Sequence, residues 1–494
     1  MILDLWYKNA VIYNLDLETF LDTDGDGVGD FEGLVRRLDY IHSLGCEVIW
    51  LAPFQTTPNK DNGYDIADYY GIDQRHGTAG DFVLFMHEAK KRGIKVIIDL
   101  VINHTSDQHP WFLESRQNKD NPKRDWYMWA NAQADGSPPN NWGSVFGGPA
   151  WTWDEHTEQY YLHQFVREQP ELNWRNPEVQ QAMMNVLRFW LERGVDGFRM
   201  DVVGHIFKDE ALPDNPPRPY VDPNLPENDL SGRTLPLYTQ NQPEIHPIFR
   251  QFRQLVDSYG EKVIIGEVFG DPEFIVSCYG ETGDELHLPF NFLLLESPWE
   301  AVFMRGVVER MEALLPPFAW PNYVLGNHDR ARLATKFGGQ AQARTAAMML
   351  LTLRGTPTLY QGDEIGTEDV YIPPEKLQDP QGINLGAERS RDACRTPMQW
   401  DDSQYAGFSE TEPWLPLTDD YKTRNVAVMQ EQAYSILNLY DQLLTLRRQS
   451  AALQVGTYTT IPTTADDHCY AYQRTNGAET KIIALNFTDS AQTI

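Results

Sequence analysis

Gly197-Phe198-Arg199-Met200-Asp201-Val202-Val203 is an apolar run that carries an arginine and an aspartate two residues apart. Side chains alternate sides along a strand, so Arg199 and Asp201 share one face. Their neighbours are Phe, Met and Val, the composition of a strand buried on both faces, where an ion pair is costly to keep. A buried arginine beside a buried aspartate favours the ionised carboxylate, the state that a nucleophile needs. The stretch also decides the fold, because strands of this kind recur along the chain with helical stretches between them.

Outward from it, apolar runs over 11–15, 47–52 and 95–101 read as strands, and 31–44 and 80–92 as helices with apolar positions at helical spacing. After 197–203, further strands are predicted over 262–268, 287–292, 322–326 and 356–360, with helices over 177–193 and 248–259. Each strand is too apolar for a half-exposed sheet, which argues for parallel pairing covered by helices. Eight such strands predict an α/β chain built as a (β/α)₈ barrel, with its active site at the strand C-terminal ends.

The alternation breaks over 104–173, which is rich in Trp, Pro, Gly and Asn. A loop of that length without structure would be unusual in a compact domain, so an inserted subdomain is expected. From 456 the pattern turns β-like. The predicted organisation is therefore barrel over 1–103 and 174–455, insertion over 104–173, and a short C-terminal β domain over 456–494.

Composition narrows the function. The 494 residues carry a formal net charge of −30, a field that repels nucleic acid and anionic membranes and suits a small neutral substrate. Cys46, Cys278, Cys394 and Cys469 show no paired spacing, as for free thiols in a reducing compartment. Met1-Ile2-Leu3-Asp4-Leu5-Trp6 has no basic region followed by a long apolar core, and no apolar run reaches about 18 residues. A cytoplasmic location is expected.

Three acids fall at the predicted barrel rim: Asp201 after strand four, Glu267 at the end of strand five, and Asp329 beyond strand seven. Two convergent carboxyls about 5 Å apart are the equipment of retaining glycoside hydrolysis, one attacking and one protonating the leaving group. Asp201, tethered to Arg199, is expected to be ionised, and Glu267, amid Ile265, Gly266, Val268 and Phe269, to be the proton donor.

Four separated motifs resemble the α-amylase superfamily, glycoside hydrolase family 13, in that family's order: Asp99-Leu100-Val101-Ile102-Asn103-His104, Gly197-Phe198-Arg199-Met200-Asp201, Ile265-Gly266-Glu267-Val268 and Asn327-His328-Asp329. The resemblance implies that Asp201 is the nucleophile, Glu267 the acid/base and Asp329 a stabiliser that grips substrate hydroxyls. It also implies that His104 and His328 bind the glucose on the non-reducing side of the cut. Asp22-Thr23-Asp24-Gly25-Asp26-Gly27-Val28-Gly29-Asp30 places acids at alternating positions, as suits calcium, although position twelve is Gly33 and not the bidentate Glu of an EF-hand. By resemblance to oligosaccharide-cleaving relatives, Asp22, Asp24, Asp26, the Val28 carbonyl and Asp30 would hold a structural calcium.

Asp61-Asn62-Gly63-Tyr64-Asp65 and the segment Arg391-Asp392-Ala393-Cys394-Arg395, followed by Thr396-Pro397-Met398-Gln399-Trp400, resemble the α-glucosidase and oligo-1,6-glucosidase branch. There Tyr64 would stack on the terminal glucose, and Asp61 paired with Arg395 would clamp its 4-hydroxyl and close the pocket. Arg395 as a structural partner of Asp392 is the alternative. Gln169-Pro170-Glu171-Leu172-Asn173 matches the branch's fifth motif with Glu where Asp is frequent, and Val202 often accompanies α-1,6 cleavage. Val203-Gly204-His205-Ile206-Phe207-Lys208-Asp209 departs from the branch pattern. The stretch through His109 also resembles trehalose synthases. The leading expectation is an exo-acting retaining α-glucosidase. A glucosyl transferase or isomerase of maltose-like disaccharides is the rival, and a catalytically silent binding relative is disfavoured by the intact acids.

Overall fold

The computed structural model describes residues 5–494, so the first four residues of the N-terminal stretch read above lie outside it. Eight strands form one parallel sheet: β1 (Ile12–Leu15), β2 (Val48–Leu51), β3 (Lys95–Leu100), β7 (Gly197–Met200), β8 (Val263–Val268), β9 (Leu288–Asn291), β10 (Asn322–Tyr323) and β11 (Thr358–Tyr360). Their order is β10-β9-β8-β7-β3-β2-β1-β11. A parallel bridge from Val324 to Thr358 brings the two edges together, and Asn322 Nδ2 reinforces the seam by donating 2.7 Å to the Thr356 carbonyl. This is the (β/α)₈ barrel that the alternation predicts.

Local sequence explains the helices. Phe31–Leu44 starts where Asp30 accepts the Gly33 N–H and buries Phe31, Leu34, Leu38, Ile41 and Leu44, a spacing of three and four. It stops at Gly45, whose φ of 99° suits glycine and ends the helix in the left-handed region. The barrel interior is filled by Ile12, Val48, Trp50, Ile97, Val263 and Ile265. Gly197 lets β7 and β8 approach, because a Cβ there would stand 2.2 Å from the Val263 carbonyl oxygen.

Two small antiparallel sheets complete the chain. β4 (Trp129–Ala130), β5 (Trp151–Asp154) and β6 (Gln159–Leu162) lie within the segment between β3 and β7, over a core of Trp142, Ala150, Trp151 and Leu162. A bridge from His104 to Glu171 and the Leu172 N–H, which donates to the Asn103 carbonyl at 3.0 Å, tie the end of that segment to the end of β3. β12 (Thr457–Thr460), β13 (Cys469–Asn476) and β14 (Glu479–Asn486) form the C-terminal sheet. No helix among the described residues is long and apolar enough to cross a membrane, and the four cysteines are free and buried.

The strand expected over 197–203 is shorter than its apolar run. It stops at Met200 because Val202 turns to φ 37°, ψ 46°, and Val203–His205 form a 3₁₀ turn. Likewise the strand expected over 322–326 keeps only Asn322–Tyr323. Both runs are apolar because they are buried at the barrel rim, and burial does not require strand pairing there.

Arg474 of β13 joins the C-terminal sheet to the barrel, and Arg447 docks the helix Ile436–Gln449 beside it. Arg447, 1% exposed, donates to the carbonyls of Leu351 at 2.9 Å, Leu353 at 3.4 Å and Gly355 at 2.6 Å, the end of the helix Gln340–Thr352. Arg474 donates to Thr352 at 2.8 Å and Gly456 at 3.0 Å. Arg447→Met leaves those carbonyls buried without donors, a loss of roughly 3 kcal/mol. The thermal midpoint should drop by several degrees while turnover at 25 °C changes little; an unchanged midpoint would show that the arginine is dispensable for docking.

Candidate active site

A cavity of about 990 Å³ opens at the C-terminal rim of the barrel and is lined by Asp61, Tyr64, His104, Asp201, Glu267 and Asp329, among others. Asp201 is the first residue past β7, Glu267 lies near the end of β8, and Asp329 follows β10. Val202 holds Asp201 at the rim. A β-branched residue at φ 37° is strained, and its turn aims the Val202 N–H at Glu267 Oε2, 2.9 Å away.

Arg199 is the centre of the arrangement. Strand register sets it opposite Asp99 on one side and Ile265 on the other. Its Nη1 donates to Asp99 Oδ1 and Asp201 Oδ1, each at 2.8 Å, and its Nη2 stands 2.8 Å from Glu267 Oε2 in ion-pair contact without hydrogen-bond alignment. Its carbon lies 5.0 Å from the Trp50 ring centre, and the side chain is fully buried. Asp201 Oδ2 and Glu267 Oε1 have no protein hydrogen bond among the described residues, so each acid keeps one oxygen for a ligand.

Burial opposes the ionisation that Arg199 favours at Asp201. Burial raises Asp201 well above the usual carboxylate range, and Glu267 is raised too, burial again leading. One guanidinium is divided among Asp99, Asp201 and Glu267, so its charge cannot offset the desolvation of all three. The pair therefore retains a proton. Asp201 receives the aligned hydrogen bond from Arg199, which favours its ionised form, while Glu267 accepts the Val202 N–H. Asp329 behaves oppositely: against the effect of burial, the charges of Arg391 and Arg395 hold it far below the carboxylate range.

The closed end of the cavity corrects another expectation. Asp61 pairs with Arg391 at 2.6 Å, not with Arg395. Arg391 also reaches Asp379 at 2.6 Å and Asp329 at 3.0 Å, while Arg395 reaches Asp329 at 3.0 Å and donates to the His328 carbonyl at 2.8 Å. Asp392 is no partner of the Arg395 guanidinium; its carboxylate accepts the Gln378 and Asp379 N–H groups at 2.8 and 3.0 Å. Two arginines four residues apart satisfy the same motif, and only the short 3₁₀ stretch Arg391–Cys394 decides which one faces the cavity. Gln169 Nε2 adds a 3.0 Å bond to the other oxygen of Asp61.

Tyr64 stacks on His328, with ring centres 5.5 Å apart and planes 13° apart, and its hydroxyl donates to Asp99 Oδ2 at 3.0 Å. That leaves the Tyr64 oxygen to accept from His328 Nε2 at 2.7 Å. His104 Nδ1 accepts from Asn103 at 3.2 Å, so its Nε2 carries the proton and donates to the Tyr64 carbonyl at 3.1 Å. Arg199, His328 and Arg395 stand behind the cavity wall, in contact with the residues that line it. Behind His104, buried Lys208 pairs with Glu171 and donates to Asn103 Oδ1 at 3.1 Å.

In the acidic loop, carboxylate oxygens of Asp22, Asp24 and Asp30 lie within 4.8 Å of one another. Asp26 does not join them; its carboxylate accepts the Val28 N–H at 2.8 Å. The loop is pinned from outside by Ser409 Oγ, which donates to Asp22 Oδ2 at 2.5 Å, and by Thr411, which donates to the Gly25 carbonyl at 3.0 Å.

The family model described as "Alpha amylase, catalytic domain" matches residues 16–456. An oligo-1,6-glucosidase of Parageobacillus thermoglucosidasius is 39% identical, over 98% of this chain and 91% of that protein. Among solved structures, the α-glucosyl transfer enzyme XgtA superposes with a TM-score of 0.93 at 40% identity, over 98% of this chain and 91% of that one. The trehalulose synthase MutB from Pseudomonas mesoacidophila MX-45 gives a TM-score of 0.90 at 36% identity, over 98% of this chain and 91% of that one.

Burial lowers His104 and His328 to about 3. An unfolded histidine titrates near 6.5, so in this window the unfolded chain binds more protons than the native one. The stability owed to these neutral imidazoles is complete above about pH 6.5 and is lost as the pH falls toward 3. Imidazole resonances assigned to the two residues should remain those of neutral rings from pH 8 to pH 5. A titration midpoint near 6 for either ring would contradict the assignment.

Proposed function

Because the chain belongs to the α-amylase family of glycoside hydrolases, we propose that it is an exo-acting, retaining α-glucosidase that releases terminal glucose from short α-1,4- or α-1,6-linked gluco-oligosaccharides. The observation that carries this reading is one buried guanidinium in contact with both Asp201 and Glu267, each acid keeping one oxygen free. Carboxyls held by one small guanidinium suit the separation of about 5 Å used in retention.

In the first step Asp201 Oδ2 attacks the anomeric carbon while the glycosidic bond breaks, and the proton on Glu267 passes to the departing oxygen. A glucosyl ester of Asp201 remains. Water then gives a proton to Glu267 and its oxygen to the anomeric carbon, which frees glucose and restores both acids. Asp329, held ionised by two arginines, accepts hydrogen bonds from hydroxyls of the same ring. Asp61 and Arg391 form the end wall: a buried, charge-assisted pair at the terminal hydroxyl discriminates against a sugar substituted there.

Transfer to a second sugar, or isomerisation, is the alternative second half-reaction. The cavity is far larger than one glucose ring, and the solved structures of similar fold include an α-glucosyl transfer enzyme and a trehalulose synthase. The cytoplasmic location expected above fits four buried, unpaired cysteines. Asp22, Asp24 and Asp30 would hold a structural calcium: three carboxylates converge, oxygen donors suit a hard cation, and no arginine or lysine pairs with them among the described residues.

Incubation with maltose, isomaltose, trehalose and sucrose, with products separated by chromatography, tests the reaction. Free glucose from maltose or isomaltose, abolished by Asp201→Ala, is expected; trehalose or longer oligomers as the main products would favour transfer. Chelation separates the metal from the chemistry. EDTA should lower the thermal midpoint by several degrees, restored by calcium, with initial rates at 25 °C nearly unchanged. A midpoint indifferent to both would remove calcium from the account.

A further inference from the structure

We propose that Asn241 is a positioning residue that staples the turn behind Asp201 to the segment behind Glu267 and thereby sets the alignment of the two acids; this rests on the glucosidase reading above. Asn241 lies near the end of the long connection between β7 and the helix Ile245–Asp257, remote in sequence from Asp201 and Glu267. Its backbone is left-handed, φ 58°, which asparagine tolerates better than most residues.

In that conformation one residue makes two ties. Its N–H donates to the Gly204 carbonyl at 2.7 Å, and its Nδ2 donates to the Phe269 carbonyl at 2.8 Å. Gly204 is three residues beyond Asp201, in the turn that holds the strained Val202. Phe269 is two residues beyond Glu267, and its ring stacks on Phe292 with centres 4.4 Å apart. Beyond the β7–β8 ladder and the shared Arg199, the Val202 N–H to Glu267 Oε2 is the hydrogen bond that joins the two acids' segments among the described residues, so Asn241 closes a further link around the same pair.

Two further observations set Asn241 apart from an ordinary loop closure. A Cβ on Gly204 would stand 2.3 Å from Asn241 Oδ1, so the glycine leaves the space that the amide occupies. Asn241 Oδ1 is itself buried without a hydrogen-bond partner, a cost of roughly 1–3 kcal/mol that the fold tolerates to keep an amide donor here. The sequence stretch 203–209, which departs from the family branch, therefore acquires a role: Gly204 yields its place to an asparagine from a distant loop.

A misaligned proton donor has a kinetic signature that general loosening lacks. Maltose must have its departing sugar oxygen protonated, whereas a 4-nitrophenyl α-glucoside expels a phenolate that needs little help. Asn241→Gly keeps the left-handed backbone and its N–H to Gly204 available and removes the tie to Phe269. We expect kcat/KM on maltose to fall roughly 10- to 100-fold. On the nitrophenyl glucoside it should fall less than about 3-fold, with the thermal midpoint within a few degrees of wild type.

Asn241→Asp, which keeps the shape but loses the donor to Phe269, should show the same split. Gly204→Ala should show it too, and should add nothing further on top of Asn241→Gly. Equal losses on both substrates, or no loss on maltose, would overturn the role of Asn241. A wild-type enzyme inactive on both glucosides would instead overturn the reading of the whole site, so the two failures are separable.

Discussion

Everything in the catalytic rim depends on the scarcity of positive charge inside it. Asp61, Asp99, Asp201, Glu267, Asp329 and Asp379 converge there, with only Arg199, Arg391 and Arg395 among them as guanidinium partners. Burial raises Asp99, Asp201 and Glu267 together, and the one guanidinium of Arg199 is divided among them. A proton must stay, and geometry decides where. Asp329 receives both rim arginines and is fully ionised. Asp99 is satisfied by Arg199, the Trp50 indole N–H at 3.0 Å and the Tyr64 hydroxyl. Asp201 and Glu267, with fewer donors than Asp99, share what remains of Arg199. A retaining mechanism needs just such a half-protonated pair.

The barrel was legible in the sequence because its signal is physical and repeated. Strands buried on both faces must be continuously apolar, and the helices that cover them must be amphipathic, so period and composition agree at each step. The helix Phe31–Leu44 matches its predicted bounds because Asp30 and Gly45 mark them chemically. Strand ends were less legible. Residues 201–203 are as apolar as the strand before them, yet Val202 leaves it, and no propensity favours valine in a left-handed turn. That departure is a local rule overridden by a tertiary demand, the need to present a backbone N–H to Glu267.

The site shows the same division. Acids at strand ends could be read, because the barrel topology gathers strand ends at one rim whatever the side chains are. Pairings among residues brought in by loops could not. Arg391 and Arg395 are chemically identical and stand in one motif, so the choice of which meets Asp61 lies in a few 3₁₀ dihedrals. In the acidic loop, alternation suggested four converging carboxylates. Asp26 instead serves its own turn by accepting the Val28 N–H, as aspartates in tight turns often do.

The strain at Val202 is best understood with its neighbours. A left-handed β-branched residue costs of order 1–3 kcal/mol and persists only where the surroundings over-determine it. Here the His205 N–H closes the turn onto the Val202 carbonyl at 2.8 Å, and the Val202 N–H is fixed to Glu267. Asn241 holds the far side through Gly204. Relaxing Val202 into a strand would extend β7 by two residues and withdraw the N–H from Glu267. Glu267 would then keep only its unaligned contact with Arg199. The turn thus exchanges backbone comfort for a fixed relation between two acids, a relation that strand pairing alone, ending at Met200 and Gly266, does not provide.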